Sequence, residues 1–242
     1  MIASSYCFSH PSSTRNGLKG AFAGVAVIYA IGDIHGCLDP LRRLMDQIHP
    51  SETDEVVFMG DYVDRGPDSK GVIDYLLGLK GRSTFLMGNH ERMFLDYLQG
   101  KERSLFLYNG GAATMESYGG LSSIPAAHLD FLHHLRLYYE TDEYLFVHGG
   151  IRPGIPPEQQ DPKDLLWIRE EFYAFPGRYP KTVVFGHTPM REVLMEEDRI
   201  GIDTACVYGN KLTCLILPSR ELIQVSNPLD NASRAAILGS RR

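Results

Sequence analysis

The chain has 242 residues, 43% of them hydrophobic, and a formal net charge of -6. That length suits one large domain with a substantial core. The acidic balance argues against general nucleic-acid binding, which needs a basic footprint, while a local phosphate site stays open because bound cations can dominate local charge.

Residues 1–20 are rich in small polar residues and lack periodicity, so they read as a loosely ordered leader. The apolar run from Gly20 to Gly32 follows Arg15 and Lys19 and could imitate a signal-peptide core. It is shorter than the roughly 20 residues of a membrane-spanning helix, and it leads straight into Asp33 and His35. Val25–Ile31 is therefore read as the first buried strand, and no membrane partner is expected. The four cysteines, Cys7, Cys37, Cys206 and Cys214, form no C-x-x-C pair. They read as free thiols in a reducing cytoplasm, with Cys37 a small buried filler.

A helix is predicted from Asp39, as N-cap, through Ile48, with Leu41, Leu44, Met45 and Ile48 on its apolar face. Val56–Met59 reads as a buried strand. Asp68 and Ser69 can cap a second helix over Lys70–Leu79. Thr84–Met87 is a third short strand, and Glu91 opens a helix to about Leu98. This β-α-β-α-β-α order implies a largely parallel sheet.

Residues 99–140 read as a helical insertion, punctuated by Asn109-Gly110-Gly111 and Tyr118-Gly119-Gly120. Its histidines His128, His133 and His134 read as surface or core residues; for His133 and His134 no acidic partner is in register. Tyr144–Val147 and Thr182–Phe185 are strands separated by a Pro-rich loop and a short helix over Asp164–Phe172. Arg199–Ile202, Leu212–Leu217 and Leu222–Val225 read as consecutive antiparallel strands, with Tyr208-Gly209-Asn210 turning one hairpin. The domain is placed at 21–226, with a tail at 227–242 that has no clear packing role.

Polar clusters end these strands: Gly32-Asp33-Ile34-His35-Gly36, Gly60-Asp61-Tyr62-Val63-Asp64-Arg65-Gly66, Gly88-Asn89-His90-Glu91, Val147-His148-Gly149-Gly150 and Phe185-Gly186-His187-Thr188-Pro189. Open α/β sheets place ligands at strand carboxyl ends. Asp33 and His35 are two apart and in extended chain point to one side, so both can reach one ion. The two oxygens of Asp61 can bridge two ions. Asn89 offers a carbonyl oxygen, His148 and His187 imidazole nitrogens. This set suits Mn, Fe, Zn or Co rather than Ca, and two such ions can clamp both oxygens of an in-line displacement. Asn89 and His90 in extended chain would project oppositely, one to metal and one to substrate. Each cluster alone is an ordinary turn; their joint occurrence in this order is not.

These motifs resemble the signature of the phosphoprotein phosphatase family, and in particular the compact bacterial and phage serine/threonine phosphatases of the calcineurin-like metallophosphoesterase fold. The likeness runs from about Val25 to Val225. It implies an α/β fold, a β-sandwich with helices on its outer faces and the site on one edge. It implies a first metal on Asp33, His35 and Asp61 and a second on Asp61, Asn89, His148 and His187, with manganese the leading choice. It also implies His90 as general acid oriented by Asp64, and a phosphate gripped by Arg65, Arg169 and Asn89. The implied reaction is direct attack of a metal-bridging water on phosphorus, with a phosphoprotein or phosphopeptide as substrate. Within the resemblance, Asp64 and Glu91 form the pairing of the protein phosphatases. A diadenosine tetraphosphatase on the same scaffold is the alternative. A non-catalytic scaffold would have lost ligands, and here every ligand position is filled.

Two departures from the family pattern stand out. Met87 replaces the usual arginine before Gly88, which makes Arg152 a substitute candidate. Ala205 stands where relatives commonly carry glycine.

Overall fold

The structure is a computed structural model, and it describes residues 27–229. The leader, Val25, Ala26, Cys7 and residues 230–242 lie outside that range.

Two five-stranded sheets face each other. One contains β1 (Ile28–Ile31), β2 (Glu55–Phe58), β3 (Arg82–Phe85), β9 (Lys211–Leu217) and β10 (Glu221–Ser226), in the order β10-β9-β1-β2-β3. The other contains β4 (Tyr138–Glu140), β5 (Tyr144–Val147), β6 (Thr182–Phe185), β7 (Leu194–Met195) and β8 (Arg199–Gly201), in the order β4-β5-β6-β8-β7. Strand alternation explains the layers. Ala30, Val57, Phe146, Val184 and Leu215 point inward and form the core between the sheets. Their neighbours Ile31, Val56, Phe58 and Cys214 point outward beneath the helices, as Leu145, Val183 and Phe185 do on the far side. A strand buried on both faces must be apolar throughout, which is why these segments read as continuous runs rather than alternating ones.

Helices α1 (Leu38–Ile48), α2 (Ser69–Leu77) and α3 (Asn89–Leu98) follow β1, β2 and β3. β1 pairs β2, and β2 pairs β3, in parallel. The apolar face expected for α1 is buried, but its N-cap is Cys37, and Asp39 lies inside the helix, paired with Arg43 at 2.8 Å. The left-handed turn at Gly36 (φ 65) starts the helix early. Asp68 does cap α2, accepting from Gly71 N at 2.8 Å.

The insertion holds α4 (Arg103–Phe106), a π-turn (Leu107–Gly111), α5 (Ala112–Tyr118) and α6 (Ala126–His133). Phe106 stacks on Phe94 of α3 at 5.4 Å. His128 is buried and bridges Tyr118 Oη (2.8 Å) to Asp74 of α2 (2.9 Å). His134 is exposed and does have an acid in register, Asp130 one turn earlier at 3.3 Å.

The C-terminal topology corrects the expected meander. β8 pairs β6 in parallel and β7 antiparallel, in the second sheet. β9 and β10 form an antiparallel pair in the first. Residues 202–210 therefore cross between sheets instead of turning a hairpin. A short apolar run states that a strand exists and leaves its partner open. Asn227 also has a role: its side chain donates to Cys206 O at 2.9 Å and to Cys37 Sγ at 3.5 Å.

Candidate active site

The carboxyl ends of β1, β2, β3, β5 and β6 meet at one edge of the sandwich. Hydrogen bonds across the two sheets join them there. His148 Nδ1 donates to Met59 O (2.8 Å), and His187 N donates to Asp33 Oδ2 (3.0 Å). Backbone in the left-handed region aims the side chains: His35 (φ 46), Asp61 (φ 53), Asp64 (φ 71), Arg65 (φ 68) and His187 (φ 62). Non-glycine residues hold such angles only where the surroundings over-determine them. Two glycines permit close approach. A Cβ on Gly88 would collide with Asp61 Oδ1, and one on Gly186 with Asp33 Oδ1.

Asp61 sits at the centre. Its Oδ2 is 3.4 Å from His35 Nε2 and its Oδ1 is 3.4 Å from His148 Nε2. Asn89 Oδ1 lies 3.0 Å from His148 Nε2 and 2.8 Å from His187 Nδ1. Two ligand groups result, one around His35, Asp61 and His90 and one around Asp61, His148 and His187. Asp33, His35, Asp61, Asn89, His148 and His187 are all brought together and all buried. The reasoning from extended chain does not hold, however. His35 is in a left-handed turn, and Asn89 and His90 open α3. Consecutive helical positions diverge by about 100°, which still sends Asn89 to the histidines and His90 to Asp64.

Among the described residues Asp33 Oδ1 and His90 Nε2 are buried without a hydrogen-bond partner. Burial, Asp203 and Asp61 raise the Asp33 carboxyl well above its usual range. Burial opposes the charge on Asp61, yet His148 and His90 hold its carboxyl low. For His148 burial works downward, but Asp61 outweighs it and lifts the imidazole to about 10. His35 and His187 are depressed to about 3 by burial, assisted by Arg65 and by His148 and Arg169 respectively, and so stay neutral, the form that a metal ion requires of imidazole. Crowded carboxylates, neutral imidazoles, an amide oxygen and the orphaned Asp33 Oδ1 fit divalent transition-metal ions.

His90 Nδ1 is 2.7 Å from Asp64 Oδ2, and both residues are 0% exposed. The free Nε2 stands 4.0 Å from Asp61 Oδ2. Arg65 Nη1 contacts His35 Nε2, and its guanidinium lies 5.6 Å from the Tyr208 ring. The helix expected over Asp164–Phe172 is broken into α7 (Pro162–Trp167) and α8 (Glu170–Tyr173). Arg169 occupies the break, exposed, with Nε 3.0 Å from His187 Nε2. Arg152, the substitute candidate, lines the same 490 Å³ cleft, but Asp164 binds it through two contacts of 2.6 and 2.9 Å.

The profile of the calcineurin-like phosphoesterase family matches residues 26–216. The chain belongs to that family. It is thus a metallophosphoesterase, a hydrolase of a family that uses divalent metal ions. It is 29% identical over 230 residues to the bis(5'-nucleosyl)-tetraphosphatase PrpE of Oceanobacillus iheyensis, covering 81% of this chain and 91% of that one. It is 31% identical over 198 residues to serine/threonine-protein phosphatase 1 of Salmonella typhimurium, covering 77% and 89%. A solved structure provisionally assigned as a diadenosine tetraphosphatase superposes with a TM-score of 0.68 at 26% identity, over 84% of this chain and 95% of that one.

Three residues of the phosphoesterase site carry no assigned role in the motif reading. Glu91 accepts four backbone N–H groups, from Asp61 (2.8 Å), Tyr62 (2.7 Å), Val63 (3.1 Å) and Gly88 (2.9 Å). Its place at N3 of α3, from which a glutamate can accept from the N-cap N–H of Gly88, is the signal that could have found that one bond. Asp203 is buried and raises Asp33. Thr114 is fifty residues from Asp64, and nothing local links them. Ala205 takes φ 57, an angle that suits glycine better than alanine.

Proposed function

We propose that this phosphoesterase hydrolyses phosphomonoesters, with phosphoserine or phosphothreonine in proteins or peptides as its substrate. The buried His90–Asp64 pair, 2.7 Å apart with His90 Nε2 open to the site, carries this reading. A serine or threonine alkoxide is a poor leaving group and needs a well-oriented acid; a nucleotide phosphate leaves readily and needs it less.

Asp33, His35 and Asp61 would hold one divalent ion and Asp61, Asn89, His148 and His187 a second, with Mn²⁺ the leading choice. Such ions neutralise phosphoryl charge and activate water when bound. Arg65 and Arg169, from opposite sides, would grip the phosphoryl oxygens as forks. Asp64 would accept from His90 Nδ1–H and aim Nε2–H at the leaving oxygen. Cysteine usage, with Cys37, Cys206 and Cys214 as free buried thiols, supports a reducing cytoplasm as the site of action. Among the described residues no helix is long and apolar enough to cross a membrane.

The second reading is cleavage of dinucleoside polyphosphates. The names of the Oceanobacillus relative and of the superposed structure favour it. A side-by-side assay in Mn²⁺ separates the two. The proposal expects higher kcat/KM on a phosphoserine peptide than on diadenosine tetraphosphate. A tenfold preference for the dinucleotide, about 1.4 kcal/mol in transition-state binding, would promote the second reading.

A further inference from the structure

We propose that Thr114, on α5 of the helical insertion, is a positioning residue for the acid pair: it holds the Asp64 carboxylate in the one orientation that keeps His90 aimed. The inference rests on reading His90 as the general acid.

Asp64 is wholly buried, and each of its polar atoms has an assigned partner. Oδ2 faces His90 Nδ1 at 2.7 Å. Oδ1 accepts from Thr114 Oγ1 at 2.6 Å. The backbone N–H of Asp64 donates to Thr114 Oγ1 (2.8 Å) and to Ser69 Oγ (3.1 Å), and the two hydroxyls lie 3.0 Å apart. Thr114 is itself 0% exposed. The χ2 angle of a carboxylate is broad, so one bond to His90 leaves its plane free to turn. The Thr114 hydroxyl fixes that plane by holding Oδ1, and it also braces a backbone of φ 71.

The same insertion grips the next residue. Arg65 N donates to Gly110 O at 3.1 Å. Gly110 has φ 98, and a Cβ there would stand 2.8 Å from Arg65 Cγ. Residues 110–114 thus fix two consecutive left-handed residues, the acid's orienting partner and a phosphate arginine. The insertion is a brace for the chemistry, and Thr114 supplies its side-chain contact to the Asp64 carboxylate.

Without the hydroxyl, Asp64 Oδ1 loses its donor in a buried site, and the carboxylate turns to recover one. His90 then loses its aim, and small misplacements of reacting groups cost up to about 100-fold in rate. The loss should appear where the leaving group needs a proton.

The experiment compares wild type with Thr114→Val and Thr114→Ser. Thr114→Ala, which leaves room for a water, replaces the valine variant if that one does not fold. Phenyl phosphate turnover should fall about 10- to 100-fold in Thr114→Val, with p-nitrophenyl phosphate falling less than about threefold and metal content unchanged. Thr114→Ser should restore both. Histidine-selective ¹⁵N NMR of the metal-free and Zn²⁺-loaded protein gives a readout apart from turnover. The hydrogen-bonded Nδ1–H signal of His90 should be present in wild type and Thr114→Ser and lost or shifted in Thr114→Val. An equal loss on both esters, or an unchanged His90 signal, overturns the proposal. If wild type cleaves neither ester, the general-acid reading falls, and the His90 signal alone decides whether Thr114 orients that ring.

Discussion

Glu91→Gln tests how the loop carrying Asp61 is held. Glu91 Oε1 receives Tyr62 N and Val63 N, and Oε2 receives Asp61 N and Gly88 N. Glutamine keeps one acceptor oxygen and presents an NH₂ group to the other pair. Two buried N–H groups are then left facing a donor, at about 1–3 kcal/mol each. The gross cost is about 2–6 kcal/mol. Removing a charge close to Asp61 relieves some repulsion, since burial and Asp61 push Glu91 up to about 7. The net loss should lie in the lower half of that range. The assay is urea unfolding of metal-free protein at pH 8, where the carboxylate is ionised, followed by fluorescence of Trp167, the single tryptophan. Mn²⁺ affinity should fall in parallel, because Asp61 sits at φ 53 on the loop that Glu91 secures. A stability change below about 0.5 kcal/mol, within the ordinary range for surface substitutions, would refute the claim that these four bonds hold the loop.

Chelation should abolish turnover and Mn²⁺ restore it, with Asp61→Asn the most damaging ligand change because Asp61 serves both ligand groups; full activity in metal-free protein would sink the two-ion assignment. Mn²⁺ binding at pH 8 should release a proton, since His148 is lifted to about 10 and must become neutral to ligate; calorimetry in buffers of different ionisation enthalpy measures it, and a buffer-independent heat would count against it. Arg169→Ala should raise KM and weaken phosphate inhibition with metal content intact, whereas Arg152→Ala should do little because Asp164 already holds Arg152; the reverse ranking would move the phosphate contact to Arg152. Ala205→Gly should stabilise the fold by up to about 1 kcal/mol, because left-handed backbone costs alanine about 1–2 kcal/mol and glycine's extra unfolded freedom returns part of that; destabilisation in a thermal melt would contradict it.

Local chemistry determined much of this protein. The runs Val56-Val57-Phe58 and Thr182-Val183-Val184-Phe185 are short, apolar and rich in β-branched residues, which favours strands buried on both faces, and they lie in β2 and β6. That Asp33, His35, Asp61, Asn89, His90, His148 and His187 gather in one place was legible, because each lies just beyond the carboxyl end of a strand, and parallel strands bring those ends to one edge. Only the tertiary structure decided which strands pair. That β8 lies beside β6 could not be read beforehand, because a run of three residues has no periodicity that names a neighbour. Only the tertiary structure broke the helix at Arg169, and only it joined Thr114 to Asp64. Contacts between residues fifty positions apart depend on how whole elements pack. No local pattern encodes that packing, so the clustered polar residues could be read from the chain while the groups that hold them in place could not.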